Sequence, residues 1–448
     1  MKKYSTTTRV IAVFAASVAL TFAAAGAAGD YVAHEWGTFT SLQGANGDLI
    51  LWKPLETSVL PGFVYNSEKA GLNRMVKGLG KGSMLTLQRM ETPVIYFYTE
   101  TEQTIDVQVK FPKGLVTEWY PQAKKVGPSF AVKAGNTADP IASFIPNYAG
   151  GVTVSNEFTS SESLIHWPVV KLIPTKMSRE MPLPLEKSGN HYFAARETDS
   201  ALVRLNAAAV PEIQMEQEKF LFYRGVGSFK TPLRVTISSG GAMTLENQGK
   251  ETLAHLFFLS VENGAGKFIH VEKLKPNTPQ TIEPNLSHAI LALKNLQEEI
   301  SADMQRTLVS EGLYPREAAA MVNTWKDSWF TENGWRVLYT LPRDWTDGVL
   351  PAELHPAPSK FVRVMVGRAE LISPEVETEL ADQIKIALEG KPGELQASLK
   401  KLGRFSESIL FRALAKANPS RDDYAKVSKI FQETTQIASA NGRDFPTR

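Results

Sequence analysis

Residues 33–48 read AHEWGTFTSLQGANGD. In a strand, successive side chains point to opposite faces. His34 then shares one face with Val32, Trp36 and Thr38, and Glu35 shares the other with Ala33, Gly37 and Phe39. Asn46-Gly47 is a favoured two-residue hairpin turn, with DLILW (48–52) as the returning strand. The competing reading makes His34-Glu35 the start of a metal or acid–base site. Two side chains that point apart cannot hold one ion together, so the stretch is read as the first strand of a β-rich protein. His34 and Glu35 stay as candidate site residues.

Outward from this strand the β pattern continues to about residue 285. PVIYFY (93–98), TIDVQVKF (104–111), SLIHWPVVKLI (163–173) and KFLFYRGV (219–226) are short apolar runs rich in β-branched and aromatic residues. LRVTIS, AMTLEN, AHLFFLSV and KFIHVEKL follow between 233 and 274, separated by SGG, NQGK and NGAG turns. Their spacing predicts antiparallel strands in sandwich-like units. Residues 121–160 read as long loops, and the Pro-rich 173–190 as a connector between two β units.

Near 285 the period changes from 2 to 3.6. Leu286, Ile290, Leu293, Ile300, Met304 and Leu308 line one helix face, which Gly312 ends. Pro315 opens a second helix with the stripe Ala318, Met321, Val322, Trp325 and Trp329, and Asn333-Gly334 is its stop. The short link implies an antiparallel helical hairpin. Strands return with WRVLYTLP and KFVRVMVGRAELI. After Ser373-Pro374 the chain reads as helical, with breaks at Gly390-Lys391-Pro392, Gly403 and Asn418-Pro419 leaving four short amphipathic helices.

The expected fold is mainly β with α: sandwich-like units, an inserted helical hairpin and a C-terminal helical module. The expected divisions are a signal peptide at 1–28, an N-terminal β-rich domain at 29–210, a second sandwich-like domain at 211–372 holding the hairpin at 286–332, and the helical module at 373–448.

Residues 1–28 carry Lys2, Lys3 and Arg9 before an apolar run that ends in Ala25-Gly26-Ala27. That is the pattern of a secretory signal with an Ala-x-Ala-like cleavage site, and it predicts export to a periplasm or beyond. Removing its three basic residues from the 49 leaves 46 against 47 acidic ones. A near-neutral chain offers no general attraction to nucleic acid or anionic membranes. No later segment is apolar enough to span a bilayer. With no cysteine there is no disulfide and no thiolate chemistry, and packing alone holds the fold.

Most catalytic signatures are missing. There is no His-Glu-x-x-His and no Gly-x-Ser-x-Gly. GLGKGS at 78–83 lacks Walker spacing, though with Arg74 and Lys77 its backbone N–H groups could cradle an anion. The seven histidines (His34, His166, His191, His255, His270, His288 and His355) show no local ligand spacing, so no metal or cofactor is assigned. His166-Trp167 and His191-Tyr192 read as strand residues, with His191 kept as a candidate for catalysis.

Half of the eight tryptophans fall between 325 and 345. Trp325 and Trp329 share the helix stripe. Trp345 lies in RDWTDG, a polar turn where a core role is less natural. With Asp344, Asp347 and Arg336 it is the candidate binding surface, since a flat aromatic face beside carboxylates and a guanidinium suits a sugar, peptide or aromatic ligand.

HEWGTFTS (34–41), METPVIYFY (90–98), TEWYP (117–121), EKFLFYRG (218–225) and DSWFTENGWRVLYTLP (327–342) resemble a group of uncharacterised exported bacterial proteins that open with HEWGTFT. The resemblance runs from about 33 to 372 and implies export, with no catalytic residue to carry over. Two functions remain. The first is an exported binding or assembly protein, taking a small molecule, glycan or protein. The second is an exported hydrolase using histidines and carboxylates gathered from separate segments, with or without a metal.

Overall fold

The computed structural model describes residues 29–55, 60–66, 84–127, 144–146, 152–154, 163–186, 190–206, 215–283, 289–416 and 420–440. The signal-like segment, Arg74, Lys77, GLGKGS, Leu286 and His288 lie outside them.

The protein is mixed α and β, with sheets dominant and helices at the C-terminus. The opening strand, Gly29–Gln43, lies inside an eleven-stranded sheet. It pairs antiparallel with Gln88–Tyr98 on one side and parallel with Pro358–Leu371 on the other. The expected return strand is present but is only Leu49–Ile50, and Gln43 pairs with Leu49, so the connection is the loop 44–48 with only Gly47 at positive φ, not a two-residue turn at Asn46-Gly47. The sequence pattern predicts antiparallel neighbours throughout. The parallel pairing of strands more than 300 positions apart has no local signal, because turn residues mark only sequence-adjacent hairpins. The sheet takes strands from both sides of residue 210 and ends on open edges rather than closing into a barrel.

Both faces of the sheet's central strands are covered, which buries those strands on both sides. On the face of Ala33 and Phe39, a six-stranded sheet contributes Val107, Ile165, Trp167 and Leu172 to one core, and a three-stranded sheet adds Val235 and Leu245. On the face of Trp36, the helices Leu293–Ser310 and Pro315–Phe330 insert Ile300, Met304, Met321, Trp325 and Trp329. A third core joins Leu42 and Trp52 to the C-terminal helices. At roughly 1.5–3 kcal/mol for each fully buried large apolar side chain, these layers supply the stability that disulfides cannot.

Several local expectations are corrected. The first hairpin helix begins at Leu293, so Ile290 precedes it and stands 73% exposed. The second ends at Phe330, and Gly334 opens the next strand instead of capping the helix. His191–Arg196 is a 3-10 turn, not a strand, held at its start by Asn190, whose side chain accepts from the Tyr192 amide. RDWTDG is not a free turn: Arg343–Val349 is a short helix. The C-terminal module has its four helices, Pro374–Leu388, Gly393–Leu402, Ser406–Lys416 and Arg421–Ala440.

Candidate functional site

His34 and Glu35 part company as strand geometry requires. His34 meets the hairpin helix, where its Nδ1 lies 2.7 Å from Oε2 of Glu317, and both side chains are buried. The Tyr314 amide donates to the same oxygen at 3.3 Å. A carboxylate accepts, so Nδ1 of His34 is the donor to Glu317. Its other nitrogen, Nε2, makes no hydrogen bond among the described residues. The rings of Tyr314 and Tyr98 wall it at 4.5 and 5.2 Å between centroids. Burial first, then Glu317, drives the Tyr98 phenol far above its ordinary value, so it stays protonated.

Glu35 faces the other core. It accepts from the Tyr223 hydroxyl and from Nε of Arg363. Arg363 also donates to Asp347 at 2.6 Å, and Asp347 in turn holds Arg343 at 2.6 Å. Burial opposes the Arg363 charge, but Glu35 and Tyr223 outweigh it and hold the guanidinium ionised.

The proposed surface of Trp345, Asp344, Asp347 and Arg336 is not one surface. Trp345 is half-buried and packs edge-on against Phe39 at 5.5 Å, on the face away from the helical hairpin. Asp344 is exposed in the first turn of the same short helix. Arg336 is buried on the hairpin side. Its donors are taken by Glu370 at 2.9 Å and by the carbonyls of Trp329, Glu332 and Asn333, which makes it the cap of the hairpin helix. His191 lies elsewhere, with its ring 5.5 Å from that of Trp325.

What the structure gathers instead is a layer of charge between the sheet and its helical cover. Thr40 of the opening strand stands opposite both Arg89 and Arg368, and Thr38 opposite Glu91. Opposite residues share a face, so all point toward the helices. Arg224 pairs with Glu118 at 2.8 Å on the neighbouring strands. Arg368 donates to Glu332 at 2.5 Å and also binds Glu370 and Ser328. From the C-terminal module Arg404 reaches in, donating to Glu91 at 3.1 Å. Arg89, Arg224, Arg336, Arg368 and Arg404 thus meet Glu91, Glu118, Glu332 and Glu370, one positive charge in excess.

This layer is buried, and not every donor in it is hydrogen-bonded. Burial lowers the Arg89 guanidinium to about 10, still charged at neutral pH. Burial works against the Glu91 charge too, yet Arg89, Arg404 and Arg368 hold its carboxyl far below the carboxylate range. Burial first, then Arg224, takes the His191 imidazole down to about 4, so it is neutral at physiological pH. Among the described residues Nε of Arg89, Nε and Nη2 of Arg404 and the hydroxyl of Thr38 make no hydrogen bond, although Arg89 Nε lies 4.0 Å from Glu91 and Arg404 Nη2 3.9 Å from Glu332. Among the described residues no three His, Asp or Glu side chains come close enough together to hold a metal ion.

Sequence reasoning passed over this layer, although a signal was present. Arg89 and Glu91 are two apart in QRMETPVIYFY, so a single strand face carries both. Charges at alternate positions inside an apolar strand mark a buried polar face. Reading the strand from Pro93 onward removed them from view. The phrases that carry the resemblance each supply members: Thr38 and Thr40, Glu91, Glu118, Arg224, and Glu332 with Arg336.

No family model and no curated protein matches this chain. Solved structures that align with it include the yeast delta-COP-I mu-homology domain and the same domain complexed with a Dsl1 WxWxV peptide. Each is 10% identical, and the alignments cover 77% of this chain and 98% of the other, with TM-scores of 0.25 and 0.26. Agreement that slight supports no conclusion about fold or function. No described helix is long and apolar enough to cross a membrane.

Proposed function

We propose that the protein is an exported binding protein whose ligand is a small anion, bearing carboxylate or phosphate, held in the arginine layer between the sheet and its helices. The observation that carries this reading is a set of buried guanidinium donors, Nε of Arg89 and Nε and Nη2 of Arg404, that make no hydrogen bond among the described residues, with Glu91 4.0 Å from Arg89 Nε and Glu332 3.9 Å from Arg404 Nη2. An unpaired buried donor costs about 1–3 kcal/mol, more when charged. An anion seated between these groups would remove that cost and balance the excess charge, with the Thr38 hydroxyl as a further donor. The neutral His191 adds no positive charge and could serve as donor or acceptor. Export rests on the basic, apolar and small-residue pattern of residues 1–28.

The test is calorimetric titration of the mature protein with inorganic phosphate and with citrate, beside an Arg89→Met variant that keeps the stem but not the charge. Saturable binding that the variant loses supports the site. Equal heats from both proteins, or none from either, overturn it. N-terminal sequencing of exported material checks the localisation, and a chain still beginning at Met1 would count against it.

A hydrolytic reading has one specific observation behind it, the His34–Glu317 pair with an Nε2 that makes no hydrogen bond among the described residues. A carboxylate behind an imidazole is the arrangement of a positioned general base. Ester or phosphoester hydrolysis that disappears in His34→Gln and weakens in Glu317→Gln would move the assignment to it. Activity unchanged by both variants removes it.

A further inference from the structure

Away from the arginine layer, the strands Leu253–Glu262 and Ala265–Leu274 form an antiparallel hairpin in which Phe257 stands opposite His270. The residue two before Phe257 is His255, a diagonal neighbour of His270 on the same face. His255 has φ of 50°, a conformation that non-glycine residues rarely adopt. It falls in the register shift between Ala254 and Phe257 against the strand Gly334–Leu341. Such outliers persist where the surroundings fix them, and they cluster at functional positions.

The two rings face each other through nitrogen. Nδ1 of His255 lies 3.4 Å from Nε2 of His270. A good N–H···N contact between neutral imidazoles is shorter, near the usual ~3.0 Å. Two imidazole nitrogens on one tetrahedral ion, at bond lengths of about 2.0–2.1 Å, stand about 3.3 Å apart. The 3.4 Å separation is a long hydrogen bond in the pair as it stands, and it is also close to the span of two imidazole ligands on one ion.

The surroundings complete the pattern. Behind His255, its other nitrogen, Nε2, faces Oε1 of Glu311 at 3.8 Å, in the turn between the hairpin helices. At that distance Glu311 makes no direct hydrogen bond, but its negative charge favours the proton on the distal nitrogen, which leaves the lone pair on Nδ1 toward His270. The Phe257 ring stacks on His270 at 4.1 Å and 12°, fixing the plane of the second imidazole. Asp303 and Glu272 contribute negative potential at His270. His255 and Glu311 are 27% and 35% exposed, so an ion can enter from solvent.

We propose that His255 and His270 form a surface site for a divalent transition metal ion that prefers imidazole, such as Zn2+ or Cu2+. Water completes its coordination, and Glu311 is a positioning residue for His255. The ion clips two sheet strands beside the turn of the helical hairpin. With two protein ligands it exchanges freely with chelators, and the site is independent of the anion-binding reading.

The full mature chain, stripped with a chelator, is titrated near neutral pH with Zn2+, Cu2+ and, as a hard-ion control, Mg2+. The expected result is one equivalent of Zn2+, tighter uptake of Cu2+ in line with the Irving–Williams order, and no uptake of Mg2+. His270→Gln and His255→Gln each abolish the site. Glu311→Gln keeps it but weakens it roughly tenfold or more, as loss of a carboxylate partner usually does. Uptake that survives in both histidine variants places the ion elsewhere and overturns the proposal, as does no uptake by the wild type. Should either variant fail to fold, diethyl pyrocarbonate labelling of the wild type decides the matter. Zn2+ protects His255 and His270 from modification, and unprotected labelling of both sinks the site.

Discussion

Arg404 donates from Nη1 to Oε1 of Glu91 at 3.1 Å, joining the C-terminal helical module to a central strand 313 positions earlier, and neither side chain is more than 8% exposed. Arg404 also lies over the rings of Trp52 and Phe405, at 5.6 and 5.0 Å from their centroids. One guanidinium therefore holds the module to the sheet by charge and by packing together.

Glu91 is the carboxylate on which Arg89, Arg404 and Arg368 all act. Glu91→Gln leaves three buried cations facing one another. It should destabilise the protein by roughly 3–5 kcal/mol, the usual cost of removing one partner from a buried pair. Urea denaturation measures it, and a cost under about 1 kcal/mol would mean that water already compensates the cluster. The same variant should bind phosphate more tightly if the layer is an anion site, because the nearer of two carboxylates on Arg404, Glu91 at 3.1 Å against Glu332 at 3.9 Å, is gone.

Acid should unfold the protein in two windows. The His191 imidazole titrates near 4 when folded against an ordinary 6.5, so the unfolded chain binds the proton first. Stability is then lost as pH falls from about 6.5 toward 4. The folded Glu91 carboxyl lies below its ordinary 4.5, so its contribution is present above that value and is lost as pH falls further below it. His191→Gln should flatten the first window and Glu91→Gln the second, in melting temperatures followed against pH. A wild-type profile that is flat between 6.5 and 4 removes the burial assigned to His191.

Trp329 and Trp345 should differ, though by less than their sequence settings suggest. Trp329 is fully buried under the hairpin, and Trp329→Ala should cost roughly 3–5 kcal/mol. Trp345 is only half-buried but packs on Phe39 and Phe229. Trp345→Ala should therefore cost on the order of 1–3 kcal/mol rather than the small change of an exposed site. Paired denaturant melts of the two variants compare them. Equal costs would mean that Trp345 is as much a core residue as Trp329.

Gly47 has φ of 78°, and a Cβ there would come within 2.8 Å of Cγ of Arg234. Gly47→Val should lose about 1–2 kcal/mol to the left-handed backbone alone, with the contact added. Gly390, at φ of 93° with nothing near its Cβ position, is the control that isolates the backbone term. Should Gly390→Val prove the more damaging of the two, the Arg234 contact contributes nothing.

Much of the architecture is written in local pattern. Alternation along AHEWGTFTS separates His34 from Glu35, and the structure seats them in different cores. The turn at Gly47 and the stripe of Ala318, Met321, Val322, Trp325 and Trp329 follow from rules that act over a few residues. Leu293 as the true start of its helix was less legible, because the apolar Ile290 continues the period without joining the helix.

Local pattern determined the elements, their inward faces and the helical end of the chain, because backbone sterics and burial act on neighbouring residues. The tertiary structure alone decided which strands lie side by side: the opening strand against Pro358–Leu371, and Glu91 under Arg404. It alone set Arg336 and Trp345 on opposite faces and brought His255 to His270. Pairings of that kind depend on how layers pack across hundreds of residues, and charge satisfied at such a distance leaves no period in the sequence to read.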